Sequence, residues 1–175
     1  MIYISGVGSR QTPKNICSEM TVIGAWCKER GFIVRSGHAE GADWAFELGA
    51  QEYCEAYIPW ASFNAHLISN AKKLIIPAES PYVELVNKYH PAPHKLSRSA
   101  LALMCRNSCQ VLGEDLKTKS SAVVCWTEDY KKPSGGTSQA IRIAKDYGVP
   151  VLNMSDPNFK TAEDVVAVLK TIISV

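Results

Sequence analysis

The sequence predicts an α/β fold, a single doubly wound domain built around a mostly parallel sheet. Three observations predict it. Short apolar runs alternate with helical patterns of about 10–15 residues, the signature of βαβ units. The runs are apolar throughout rather than alternating, as strands covered on both faces require. No repeat, low-complexity tract or linker divides the 175 residues, which form one domain over 1–175.

The elements follow in order. "MIYISGVG" reads as the first strand. "PKNICSEMTVIGAWCKERG" reads as a helix, with Pro13 near its start and Gly31 beyond its end. "FIVRSG" is a second strand, followed by a helix in "GADWAFELGAQ", and "CEAYIPW" is a third strand. "KKLIIPAES" fits either a short strand or a loop stiffened by Pro77, and "PYVELVNKYH" fits a short helix. "KLSRSALALMCRNSCQVLG" is a longer helix with an apolar stripe through Leu96, Ala100, Leu103 and Leu112. "SSAVVCW" is a strand, "TSQAIRIAKDYG" a helix, "VPVLNM" a last strand and "TAEDVVAVLKTII" a closing helix.

Composition removes several functions. Apolar residues make up 46% and charged residues 21%, ordinary soluble usage. A formal net charge of +2 is too small for indiscriminate binding of nucleic acid, so any such role needs a local patch. No apolar run approaches the roughly 20 residues of a membrane span. "MIYISGVGSR" lacks the features of a signal peptide. The six cysteines contain no C-x-x-C pair and several sit in apolar runs, which predicts reduced core thiols in a cytoplasmic protein. His90 and His94 flank two prolines in "HPAPH", which prevents the helix that would aim both at one metal. No metal and no resident cofactor is expected.

In an open parallel sheet, ligands bind beyond the carboxyl ends of the strands. Three loops there share a composition. In "GVGSRQTP", Gly6 and Gly8 allow a tight turn, while Ser9 and Arg10 offer a hydroxyl and a cationic fork suited to phosphate. In "RSGHAEGADWA", Ser36, Gly37 and Gly41 shape a turn into a helix that carries Asp43 in its first turn. Asp43 either complements the helix dipole or accepts hydrogen bonds from a ribose or base. A carboxylate repels phosphate, so Asp43 belongs at the sugar or base end. In the third loop, Ser134, Gly135, Gly136 and Thr137 open a helix whose unpaired N–H groups and dipole form an anion cradle. The P-loop pattern is absent, and "GVGSRQ" lacks the third glycine of the dinucleotide fingerprint.

Over roughly residues 2–154 these motifs resemble the SLOG superfamily of Rossmann-like proteins, which includes DNA-processing protein A and the Lonely Guy phosphoribohydrolases. "GVGSR" is similar to the family's first-strand turn, and "RSGHAEGADWAFELGA" to its SG-x-A-x-G-x-D-x-x-A segment. "MCRN" resembles its arginine–asparagine pair, here Arg106 and Asn107, and "SGGT" with the following helix and strand resembles its final loop. The resemblance implies a small stand-alone phage or bacterial member that forms a homo-oligomer. It also implies ligand contacts from Gly8, Ser9, Arg10, Ser36, Gly37, Gly41, Asp43, Arg106, Asn107, Ser134, Gly135, Gly136, Thr137 and Gln139.

Two departures bear on activity. The phosphoribohydrolases carry an acidic residue two places after the threonine, where this chain has Gln139, which lacks a titratable carboxyl. If the chain is an enzyme, Asp43 and Arg106 are the catalytic candidates, with Glu40, Glu114 and Glu128 as other carboxylates. The DNA-processing proteins add flanking domains for which 175 residues leave no room. The leading expectation is a binder of a small phosphorylated nucleoside or an NAD- or ADP-ribose-derived nucleotide that senses or sequesters a signal. Trp60 and Trp126 are the candidates for base stacking. N-glycosidic hydrolysis and single-stranded nucleic-acid binding stay open as alternatives.

Overall fold

Apolar runs too short to cover themselves have assembled into one sheet whose two faces are covered, except along the edge strand at Lys72–Ile75, three of whose four residues are exposed. The computed structural model describes residues 1–174. Among these are six strands: β1 (Tyr3–Gly6), β2 (Ile33–Ser36), β3 (Cys54–Ile58), β4 (Lys72–Ile75), β5 (Ala122–Cys125) and β6 (Val151–Asn153). All neighbours pair in parallel, in the order β4-β3-β2-β1-β5-β6. Six α-helices complete the domain: α1 (Lys14–Glu29), α2 (Ala42–Ala50), α3 (Tyr82–Tyr89), α4 (Arg98–Leu112), α5 (Gly136–Asp146) and α6 (Ala162–Ile173). The ambiguous "KKLIIPAES" supplies edge strand β4, and the loop alternative is set aside.

Period-two alternation divides the strand residues between two cores. Ile4, Val34, Ala122 and Val124 meet α1, α2 and α6 through Met20, Ile23, Phe46 and Leu169. Val123 and Cys125 point the other way, toward Val111 and Leu112 of α4 and Ile143 of α5. Cys105 and Cys109 of α4 pack with Tyr57 and Val86 in a third cluster. All six cysteines are free thiols, and five are buried. Among the described residues no helix is long and apolar enough to cross a membrane, and no group of side chains is suited to hold a metal ion.

The connections place the site. From β1 the chain steps to β2, β3 and β4 on one side, then returns to lay β5 and β6 on the other. Right-handed crossovers running in opposite directions put their helices on opposite faces. The loops leaving β1 and β5 therefore diverge, and a crevice opens between them where strand order reverses.

Candidate functional site

A cavity of about 490 Å³ occupies that crevice, within the usual size range of small-molecule sites. Its wall includes Gly8, Ser9 and Arg10 from the β1 loop, Asp43 from α2, and Arg106 and Asn107 from α4. Ser134, Gly135, Gly136 and Thr137 complete it from the start of α5.

The turns are built against each other. The Val7 amide donates to Val124 O at 3.1 Å and the Ser9 amide to Trp126 O at 3.3 Å, which ties the β1 loop to the end of β5. Ser9 Oγ accepts from the Gln11 amide at 3.0 Å, so its hydroxyl shapes the turn as well as lining the cavity. A methyl group on Gly8 would come within 2.6 Å of the Ala42 Cβ, and one on Gly41 within 2.7 Å of Ser9 O. The start of α2 thus rests directly on the β1 loop.

At α5 the N-cap is Gly135, with φ +74° and no side-chain cap. Ser138 Oγ donates to Gly135 O at 2.6 Å and leaves the first amides of the helix uncapped. Those amides and the helix dipole supply the positive character of this corner. Asn107 holds the turn in place by donating from Nδ2 to Gly136 O at 3.2 Å.

The floor is charged and buried. Arg106 Nη1 lies 3.5 Å from Asp43 Oδ2, and both side chains are almost wholly enclosed. Gly37 creates the room, because a Cβ there would stand 1.5 Å from Arg106 Nη1 and 2.5 Å from Gln110 Nε2. Burial pushes the Asp43 carboxyl up to about 6, opposed by Arg106 and reinforced by the nearby Glu47. Burial also lowers the Arg106 pKa, and Asp43 offsets this in part.

The remaining expected residues fall behind or beside the cavity. Ser36 is buried and donates to Glu47 Oε1 at 2.8 Å. Gly37 and Gly41 shape the wall without lining it. Gln139 is buried and donates to Met104 O at 3.0 Å, bracing α5 against α4. Trp126 packs against the core under α1 and α2, and Trp60 stands edge-on to Phe63 with ring centroids 5.5 Å apart. Neither tryptophan lines the cavity; Phe63 does, with the Arg106 guanidinium 5.6 Å from its ring centre. Of the four carboxylates considered, Asp43 and Glu128 line the cavity, while Glu40 pairs with His66 at 3.1 Å on the surface and Glu114 lies outside the lining.

Sequence reasoning did not single out Phe63, Asn64 or Gln110. The first two come from the long β3–β4 connection, which has no motif. Gln110 lies one helical turn beyond Arg106, a spacing that marks it once the face of α4 is known.

Strand order and cleft together define a Rossmann-like α/β domain. No protein-family profile and no curated protein sequence matches the chain. Solved structures do match. DNA processing protein A from Helicobacter pylori, described for its single-stranded DNA binding mode, is 13% identical with a TM-score of 0.59 over 97% of this chain and 72% of that one. The molybdenum cofactor binding protein from Rippkaea orientalis is 16% identical with a TM-score of 0.60, covering 98% and 97%. The molybdenum cofactor carrier protein from Chlamydomonas reinhardtii is 14% identical with a TM-score of 0.57, covering 100% of both chains.

Proposed function

We propose that the cleft binds a small phosphorylated nucleoside or an NAD- or ADP-ribose-derived nucleotide, and that the protein senses or sequesters it. One observation carries this reading: three strand-end turns, at Gly8, Asp43 and Gly135–Thr137, converge on one cavity at the point where strand order reverses. Phosphate belongs at the uncapped start of α5, with Ser134, Thr137 and the cation of Arg10 around it. The sugar or base belongs over the Asp43–Arg106 floor, where Phe63 offers an aromatic face. The structural neighbours that bind or carry a molybdenum cofactor support a small ligand in this fold. The reading also takes the chain to be a cytoplasmic homo-oligomer, and the molar mass in solution by light scattering checks the subunit number.

A thermal-shift panel of nucleoside phosphates, cyclic nucleotides and ADP-ribose derivatives tests the reading. A ligand at 100 times its Kd adds about 2.7 kcal/mol, a rise on the order of 5–10 °C for a domain of this size. A panel without any shift contradicts it.

N-glycosidic hydrolysis is a second reading, favoured by the presence of Asp43 and Glu128 on the same cavity. In that reaction water oxygen bonds to C1′, the C1′–N bond breaks, and the base leaves with a proton. Free base released from a nucleoside monophosphate, and lost in Asp43→Asn, establishes it; binding without release contradicts it. DNA processing protein A supports a third reading, single-stranded nucleic-acid binding. Its mark is a log–log salt slope of about −0.7 per phosphate neutralised.

A further inference from the structure

Beneath the cleft lies a group of ionisable side chains that phosphate binding alone does not explain. Asp43 and Glu47 sit one turn apart on α2. His38, from the turn after β2, places Nδ1 2.8 Å from Glu47 Oε2. Arg106 reaches in from α4 to Asp43. Exposure is 3% for Asp43, 0% for Glu47 and His38, and 6% for Arg106, so water compensates none of them well.

The neighbours are few and mostly uncharged. Ser36 from β2 and Ser69 from the β3–β4 connection each donate to Glu47 at 2.8 Å. Gln110 flanks Arg106 from α4, and the Cys54 thiol of β3 is held neutral by burial and by the two carboxylates. The amides of Gly8 and Ala39 face the Asp43 carboxyl, yet Asp43 Oδ1 closes no hydrogen bond and neither does His38 Nε2.

The charges do not balance. Two carboxylates oppose one guanidinium, so with a neutral imidazole the cluster carries one net negative charge in a poorly hydrated place. Such a charge is costly, and a phosphorylated ligand in the cavity above raises that cost. A single added proton closes the balance. Three polar contacts already converge on Glu47, whereas Asp43 Oδ1 and His38 Nε2 have none, so Asp43 and His38 are the places for the proton. Groups coupled this closely titrate as a unit.

We propose that anion binding in the cleft is coupled to uptake of one proton by the Asp43–Glu47–His38–Arg106 cluster, so that the protein holds a phosphorylated ligand more tightly as the medium becomes more acid. The inference rests on the nucleotide reading of the same cleft. ADP-ribose is the suitable probe, because its diphosphate keeps its charge between about pH 5 and 8.

Calorimetry of ADP-ribose binding in two buffers of different ionisation enthalpy counts the protons taken up. The expected result approaches one proton per ligand above pH 7, with Kd rising by up to about tenfold per pH unit. Glu47→Gln removes one carboxylate and is expected to abolish both effects. A carbon-13 NMR titration of the wild-type protein without ligand gives an independent measurement that needs no variant to fold. It should show the Asp43 carboxyl taking up a proton between pH 5 and 8. Binding with no proton uptake and no pH dependence overturns the proposal, as does a flat titration of the free cluster. If ADP-ribose and the other nucleotides all fail to bind, the nucleotide reading falls; the titration of the free protein still decides whether the cluster holds the shared proton.

Discussion

Asp43 shows how a single side chain can be recognised in sequence while its environment is not. Its place in the first turn of α2 follows from "EGADWA", where helix capping was one expectation. Its carboxyl instead turns inward to Arg106, because Gly37 leaves space for a guanidinium that any larger residue would fill. The raised pKa has a definite consequence. In the unfolded chain Asp43 titrates near 3.8, and in the folded protein near 6. The folded state therefore binds this proton more tightly. The associated stability is complete below about pH 4, is lost as pH rises toward about 6, and stays lost above it. In Asp43→Asn that loss disappears. Urea denaturation across this range is expected to show the variant gaining on the wild type by on the order of 2–3 kcal/mol between pH 4 and 6.5. The attraction of Arg106 acts on the ionised carboxyl and is already contained in the folded value, so its loss is part of the same curve. Gly37→Ala tests the other half of the pair. Its methyl group would displace the guanidinium, at an expected cost of about 1–3 kcal/mol in the same measurement.

At the scale of elements, α5 and α4 contrast. The start of α5 was legible because glycine before a hydroxyl-rich helix start has a backbone meaning. Gly135 takes φ +74° with open space around it, so Gly135→Ala should cost about 1–2 kcal/mol through conformation alone. Gly136 has ordinary φ, and a Cβ there meets Asn107 Nδ2 at a comfortable 3.5 Å. Gly136→Val should thus leave Tm nearly unchanged while weakening nucleotide binding by tenfold or more, since the side chain would stand where phosphate approaches the backbone. Equal Tm and equal affinity would contradict the assignment of phosphate to this turn. Helix α4 was read less well. Its expected apolar stripe ran through Ala100 and Leu103, which are only partly buried, while Arg106, Asn107, Ser108 and Gln110 are buried. Periodicity finds an apolar face; it cannot find a polar face that is buried because it meets a site.

For the whole molecule, the doubly wound class followed from the alternation of short apolar strands with helices, and the observed sheet is parallel throughout the described residues. Strand order was not legible, because nothing in a run of Val and Ile names its neighbour. That order places the β1 and β5 loops side by side, although more than a hundred residues separate them. The aromatic element was missed for the same reason. Tryptophans at strand ends stand out in sequence, but the fold packs a partly buried Trp126 against the core and brings Phe63 to the cavity from a connection without pattern.

The central claim is that one anionic ligand touches all three turns at once. A nitrogen-15 NMR titration with ADP-ribose tests it most directly. The predicted result is saturable shifts in the amides of Gly8, Ser9, Gly136 and Thr137, together with the Arg106 side chain. Saturable shifts confined to another surface, with these amides unmoved, would contradict it.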